Sequence, residues 1–311
     1  MNYSRLGRTG ISASVIGLGC GGHSRLGLTQ GKTEDEAANL VRSALDMGIN
    51  FIDTAEFYGT EAVVGKGIRG VPREQIYLST KALPNWQDRL CTAPEMRMRI
   101  DACLGRLGVD YVDVFHLHAV LLEEYAYCRE ELVPLLLDMK TEGKIRFLGI
   151  TEQFLTDTNH QMLRAALKDT IWDVMMIGFS ILNPSARNTV LPETIRQDVG
   201  TLCMFAVRRA LSRPAALVEL MEGLESAGLI GAFDRTSPLG FLEEPGVAES
   251  LQDAAYRYCR WEPGMNVVLS GTGDLNHLRA NSESLNRGPL PPATVGRLSA
   301  MFEKVDSVSG D

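Results

Sequence analysis

Eight short apolar or β-branched runs alternate with amphipathic segments along this 311-residue chain, and the alternation sharply limits what it can fold into. The runs lie at 15–19, 51–53, 76–80, 112–117, 147–151, 174–177, 202–205 and 267–270. A strand covered on both faces reads as a continuous apolar run, and a helix with one apolar stripe supplies that cover. No Pro/Gly/Ser-rich linker or composition shift divides the chain. The pattern therefore predicts one domain over 1–311, a closed (β/α)8 barrel of the α/β class, rather than two doubly wound domains.

The helical segments carry start and stop signals. Thr33-x-x-Glu36, Thr92-x-x-Glu95 and Thr158-x-x-Gln161 each read as a capping box, in which a hydroxyl and an acid or amide take up backbone N–H groups left free in the first turn. Leu132, Leu135, Leu136 and Met139 recur at spacings of three and four and stop at Gly143. Outside the repeat, residues 1–14 read as a β-hairpin with Arg8-Thr9-Gly10 near its turn and Tyr3, Leu6 and Ile11 as its apolar side. Residues 291–305 read as an extra C-terminal helix. Residues 228–247, rich in Gly and Pro, form the longest irregular stretch, and a long loop late in a barrel reads as a lid or substrate loop.

Composition excludes several classes. A formal net charge of −8 argues against nucleic acid as a partner, since neutralising a phosphate backbone takes a clustered cationic excess. The longest apolar stretch, 174–182, is about half the ~20 residues a bilayer requires, so no membrane span is expected. Residues 1–10 hold two arginines without the apolar core of a leader, and six cysteines without C-x-x-C or zinc-finger spacing read as reduced core residues. A cytoplasmic protein without a metal site is the expectation.

Gly17-Leu-Gly19-Cys-Gly21-Gly22 fits G-x-G-x-x-G after a strand, but the next helix signal comes only at Thr33. The glycines therefore cannot place a helix N-terminus on a pyrophosphate, and they read instead as a tight loop on the barrel rim, close to a ligand. More telling are Asp53, Tyr58, Lys81 and His118, each at or just beyond the C-terminal end of a strand run. Taken singly they could be a salt bridge, a packed aromatic and a core imidazole. In a parallel barrel, however, those strand ends converge on one face. There an ammonium held by Asp53 would lower the Tyr58 pKa from its ordinary value near ~10. A neutral His118 could orient a carbonyl oxygen. His116, two residues earlier on the same strand face, reads as core.

These residues resemble the aldo-keto reductase family. Asp53-Thr-Ala-x-x-Tyr58-Gly59, Ser79-Thr80-Lys81 and Asp113-Val-Phe-His-Leu-His118 match its Asp-Tyr-Lys-His tetrad in order and context, and Gly143-Lys144-Ile145-Arg146-Phe147-Leu148-Gly149-Ile150 is similar to its approach to the fifth strand. The resemblance implies hydride transfer between a nicotinamide cofactor and a small carbonyl or alcohol, with Tyr58 as general acid, Lys81 and Asp53 tuning it and His118 positioning the carbonyl. It implies a cofactor seat at Gly19, Cys20, Asp53, Thr151, Glu152, Met176, Met204, Phe205, Arg208, Gly271, Thr272, Gly273, His277 and Asn281. Thr151-Glu152 stands where the family usually has Ser-Asn, Met176 where it has glutamine and Met204 where it has a stacking aromatic. NADP(H) is favoured by the resemblance. Gly273 and Asp274, standing where a cation would meet a 2′-phosphate, keep NAD(H) as the alternative.

Two other readings follow from the same residues. A cofactor-binding redox sensor or scaffold with weak turnover is suggested by Thr151-Glu152 and Met176, and a Schiff-base lyase by Lys81. The lyase needs a lysine of depressed pKa, against which Asp53 works. Trp86, with Tyr125 or Tyr127, is a candidate lining for an apolar substrate pocket.

Overall fold

A computed structural model of the chain describes residues 1–86 and 89–311, with the backbone alone at Trp86. Eight parallel strands close into a barrel in sequence order: Ile16–Gly19, Phe51–Asp53, Tyr77–Ala82, Val112–Val120, Ile145–Glu152, Val174–Gly178, Gly200–Met204 and Val267–Ser270. The eighth pairs with the first through Val268↔Ile16, and the fifth with the sixth through Val174↔Gly149. Helices wrap the outside, as the alternating pattern requires. The third, fourth and fifth strands run further toward the C-terminal face than their apolar runs suggest, taking in Lys81, His118 and Glu152. Polar residues at a barrel mouth still pair their backbones, so the end of an apolar run underestimates the end of the strand.

The barrel interior is packed. Phe51, Val114, Val174, Met176, Leu202 and Val267 fill it, and Leu6, Ile11 and Ala13 of the N-terminal hairpin belong to the same cluster. The hairpin, Tyr3–Arg5 paired with Ser12–Ser14, thus plugs the end of the barrel opposite the strand C-termini. Its turn needs glycine: Gly7 has φ +48, and a Cβ there would lie 2.2 Å from the Gly200 nitrogen. Tyr3 does not share the apolar side of the hairpin; it is half exposed, and its hydroxyl donates to the Gly48 carbonyl.

The Thr33 and Thr92 boxes open helices Glu34–Asp46 and Ala93–Leu107 as expected, and Gly143 turns with φ +80 after helix Val133–Thr141. The third expected box does not form. Helix Gln161–Ala166 is capped by Asp157, whose carboxylate accepts from the Gln161 and Met162 amides at 2.8 Å each. The intervening His160 adopts a left-handed φ of 63°, which carries its ring to Glu152 instead of continuing a Thr158 cap.

Helix Pro292–Phe302 is the expected extra helix, with Leu298 and Phe302 fully buried. Residues 228–247 hold one short 3-10 turn, Gly240–Glu243. Arg235 ties this stretch to Glu222 and Glu225 of helix Pro214–Ser226, and Arg297 stacks on Phe241 at 3.8 Å. Those anchors lie in the outer helical shell. All six cysteines are buried and free, and among the described residues no helix is long and apolar enough to cross a membrane.

Candidate active site

Asp53 ends the second barrel strand, and the chain turns at once through the 3-10 segment Glu56–Tyr58, closed by Gly59 at φ +69. Glu56 anchors that turn: Arg99 donates to its Oε2 from Nε at 2.9 Å and from Nη2 at 2.5 Å, and to the Leu83 carbonyl from Nη1. The turn sets Tyr58 over the strand ends, its ring packed closely on Gly21. A Cβ at Gly21 would fall 2.5 Å from the Tyr58 Cε2. The rim glycine that the sequence assigned to a ligand approach is therefore needed first by Tyr58 itself.

Beneath the phenol, Lys81 is fully buried. Its Nζ donates to Asp53 Oδ2 at 2.6 Å and to the Thr54 carbonyl at 2.8 Å, and it lies 5.1 Å from the Tyr58 ring centre. Asp53 accepts also from Ser79 Oγ at 2.8 Å. On the far side His118, half-buried, places Nε2 3.5 Å from the Tyr58 hydroxyl, the two rings meeting edge to face at 5.6 Å. All four tetrad residues are thus brought together at the C-terminal mouth, two buried and two half-buried.

Electrostatics correct one expectation. Burial pushes the Tyr58 phenol above its ordinary 10.0, and the Lys81 charge opposes this without reversing it. The attraction of the Lys81 charge for a phenolate and its hydrogen bonding to the phenol together do not match the hydration lost on burial. For Lys81 itself burial works against the charge, but Asp53 and then Tyr58 outweigh it, leaving its pKa above 10.5. Burial, then Lys81, hold His118 well below 6.5, so it is a neutral imidazole. His116 is neutral for the same reasons and fully buried, its ring filling the space above Gly149. Cys20, beside the tetrad, is a buried thiol whose pKa is raised by burial and by Asp53, which keeps it protonated.

The remaining seat residues divide. Met176 lies in the barrel core, Met204 packs at its upper edge, and Gly19 faces Gly271 across the rim. Thr151 accepts the Ala119 amide on Oγ1 at 2.6 Å. Glu152, expected at a carboxamide, is turned elsewhere: its Oε1 accepts from the Gly178 amide at 2.8 Å, and both oxygens lie within 3.0 Å of His160 Nδ1. Phe205, at φ +69, meets Phe154 edge on, and Arg208 stacks over it while pairing with Asp311 through Nε at 2.9 Å.

At the eighth strand Gly273 packs so closely on Gly27 that a Cβ would fall 2.5 Å from the Gly27 Cα, and Lys32 donates to its carbonyl. Thr272 Oγ1 accepts the Asp274 amide, and Asp274 caps the next helix through the Asn276 and His277 amides. Asn281 donates to Ser270 Oγ at 2.9 Å. Of the candidate pocket aromatics, Tyr125 donates to Asp169 and Tyr127 to the Cys91 carbonyl, while the Trp86 side chain lies outside the described residues. The sequence marks Gly21 only as part of the rim loop and gives no role to Glu56 or Arg99. The pairing of Glu56 with Arg99, which lies on helix Ala93–Leu107, joins residues 43 apart and has no local signal, whereas Gly21 was visible as a glycine without its partner being visible.

A closed eight-stranded barrel with an aspartate, tyrosine, lysine and histidine gathered at its mouth defines a class, and the comparisons agree with it. The sequence profile of the aldo/keto reductase family matches residues 16–303, and the chain belongs to that family. It is 37% identical over 307 residues to aldo-keto reductase YhdN of Bacillus subtilis (strain 168), covering 91% of this chain and 88% of that protein. To L-galactose dehydrogenase of Arabidopsis thaliana it is 39% identical over 152 residues, a match spanning 47% of each chain, about half the length of that relative. The fold is shared with the crystal structure of an aldo/keto reductase from Klebsiella pneumoniae in complex with NADP and acetate. There the TM-score is 0.71 at 19% identity, over 99% of this chain and 100% of that one. Membership carries the coarse assignment of an NAD(P)-dependent oxidoreductase.

Proposed function

We propose that this protein reduces a small aldehyde or ketone, or oxidises the matching alcohol, with Tyr58 as the proton donor and acceptor. The observation that carries the reading is the position of the Tyr58 hydroxyl, 3.5 Å from His118 Nε2 and above the Lys81 and Asp53 pair. A substrate carbonyl oxygen placed between Tyr58 and His118 takes a proton from the phenol and a hydrogen bond from the neutral imidazole. Lys81, held positive by Asp53, offsets the charge that the tyrosine acquires as its proton leaves. The same pairing disfavours a Schiff base, since the Lys81 amine is protonated and buried.

A reduced nicotinamide supplies the hydride when bound. The donor set at the mouth suits such a group: the Thr151 hydroxyl keeps its own proton after accepting from Ala119, Met176 and Met204 offer an apolar floor, and His277 and Asn281 lie on the helix that follows the eighth strand. NADP(H) is the favoured cofactor and NAD(H) the alternative. The Asp274 carboxylate is engaged in capping, and Lys32 reaches the Gly273 carbonyl, which places a cation beside the position where the sequence lacks one. The test is a panel of aldehydes, ketones, sugars and steroids assayed with NADPH and with NADH. Turnover of at least one carbonyl is expected, with the lower KM for NADPH; absence of turnover and of binding with both cofactors overturns the reading.

The pKa directions give a pH profile. Reduction needs a protonated phenol, so the rate falls only as pH rises through the Tyr58 value, which lies above 10.0, and an acid limb from His118 lies well below pH 6.5. The kcat for reduction should therefore be flat across the neutral range. A break between about pH 7 and pH 9 would assign the proton to another group.

A further inference from the structure

The fourth and fifth barrel strands pair regularly up to Leu117↔Ile150 and resume at Val120↔Glu152, so His118 and Ala119 together stand opposite the single residue Thr151. That is a bulge, one extra residue that re-aims its neighbours. Ala119 has φ +51, a left-handed conformation that a residue with a Cβ adopts only when its surroundings hold it. What holds it is Thr151, whose Oγ1 accepts the Ala119 amide at 2.6 Å. No comparable restraint acts on the imidazole: His118 Nδ1 is buried without a hydrogen-bond partner among the described residues, and Nε2 faces Tyr58. The direction of the ring is therefore set by the backbone it hangs from.

We propose that Thr151 is a positioning residue for His118: its hydroxyl pins the bulge that aims the imidazole at the Tyr58 hydroxyl, across the gap where a carbonyl oxygen would sit. The inference rests on the carbonyl chemistry proposed above and gives Thr151 a task separate from any contact with a cofactor. Thr151→Val removes the acceptor and leaves the Ala119 amide unpaired. A shift of about 1 Å in a positioning group costs about a hundredfold in rate, so kcat is expected to fall roughly ten- to hundredfold. Because His118 also meets the carbonyl and the Thr151 hydroxyl also stands in the cofactor seat, the KM for the carbonyl and the Kd for NADPH should rise as well, and the two rescues that follow separate the aim of the ring from those contacts.

Thr151→Ser, which keeps the acceptor, should restore kcat. Thr151→Val combined with Ala119→Gly should recover much of it, because glycine takes the left-handed conformation without needing to be held. In the ligand-free protein the His118 ring resonances in NMR spectra should move in Thr151→Val and not in Thr151→Ser, a readout independent of turnover. The serine and double variants keep the question answerable if the valine variant folds poorly. An unchanged kcat in Thr151→Val, an unmoved His118 signal, or a raised Kd for NADPH with kcat intact would each overturn the proposal. A wild-type protein that neither binds nicotinamide cofactor nor reduces any carbonyl would instead overturn the function on which it rests.

Discussion

Tyr58→Phe should abolish carbonyl reduction, lowering kcat by about a thousandfold, within the range of 10²–10⁴ that a positioned general acid supplies. The substitution removes one oxygen and little else. The ring keeps its seat against Gly21, where the fit is too close for a Cβ, and its edge-to-face contact with His118. The turn that carries it is held by Arg99 on Glu56 and does not involve the phenol. Stability and NADPH affinity should consequently change little, and fluorescence titration of the cofactor alongside single-turnover reduction separates the two effects. More than about a tenth of wild-type turnover in the phenylalanine variant would place the proton donor elsewhere. Neither near group offers an easy substitute: the Cys20 thiol is held protonated by burial and by Asp53, and the His118 imidazole is neutral.

The contrast between the tetrad and its surroundings explains how far the sequence could be read. Asp53, Lys81 and His118 sit on strands, and an apolar run fixes both the direction of a strand and the end at which its polar residues emerge. Their convergence then follows from barrel geometry alone. The hairpin plug and the extra C-terminal helix were legible for a similar reason, as local patterns outside the eightfold repeat. Hidden was everything set by contacts between distant segments. Glu152 reads as a mouth residue by position, yet His160, eight residues on, adopts a left-handed backbone that captures it. The lowered Tyr58 pKa was an inference from charge alone, and depth of burial, which outweighed it, has no sequence signature. The bulge at Ala119 shows neither a glycine nor a proline to announce it, because the Thr151 hydroxyl on a neighbouring strand stabilises it.

Lys81→Met tests the buried half of the site and should cost both activity and stability. The ammonium is fully buried, and its loss strips Asp53 of its 2.6 Å partner and the Thr54 carbonyl of its donor, leaving Ser79, among the described residues, as the remaining side-chain donor to the carboxylate. Breaking a buried pair in this way costs about 3–5 kcal/mol, because the uncompensated charge stays in a dry environment. Thermal unfolding should show the loss directly. Replacing both partners, Lys81→Met with Asp53→Asn, should be less destabilising than the lysine change alone, since it removes the stranded charge; a double variant as unstable as the sum of the singles would mean that packing, not charge, holds the site. The pair also predicts a pH dependence. Lys81 binds its proton more tightly folded than unfolded, so its contribution is complete below the unfolded lysine value near 10.5 and fades as pH climbs through the higher folded one. The stability gap between wild type and Lys81→Met should accordingly be constant through neutral pH and narrow only in strongly alkaline solution. Activity should be lost across the whole range, because without Lys81 nothing positive lies beneath Tyr58 to offset the charge left when its proton moves to the substrate.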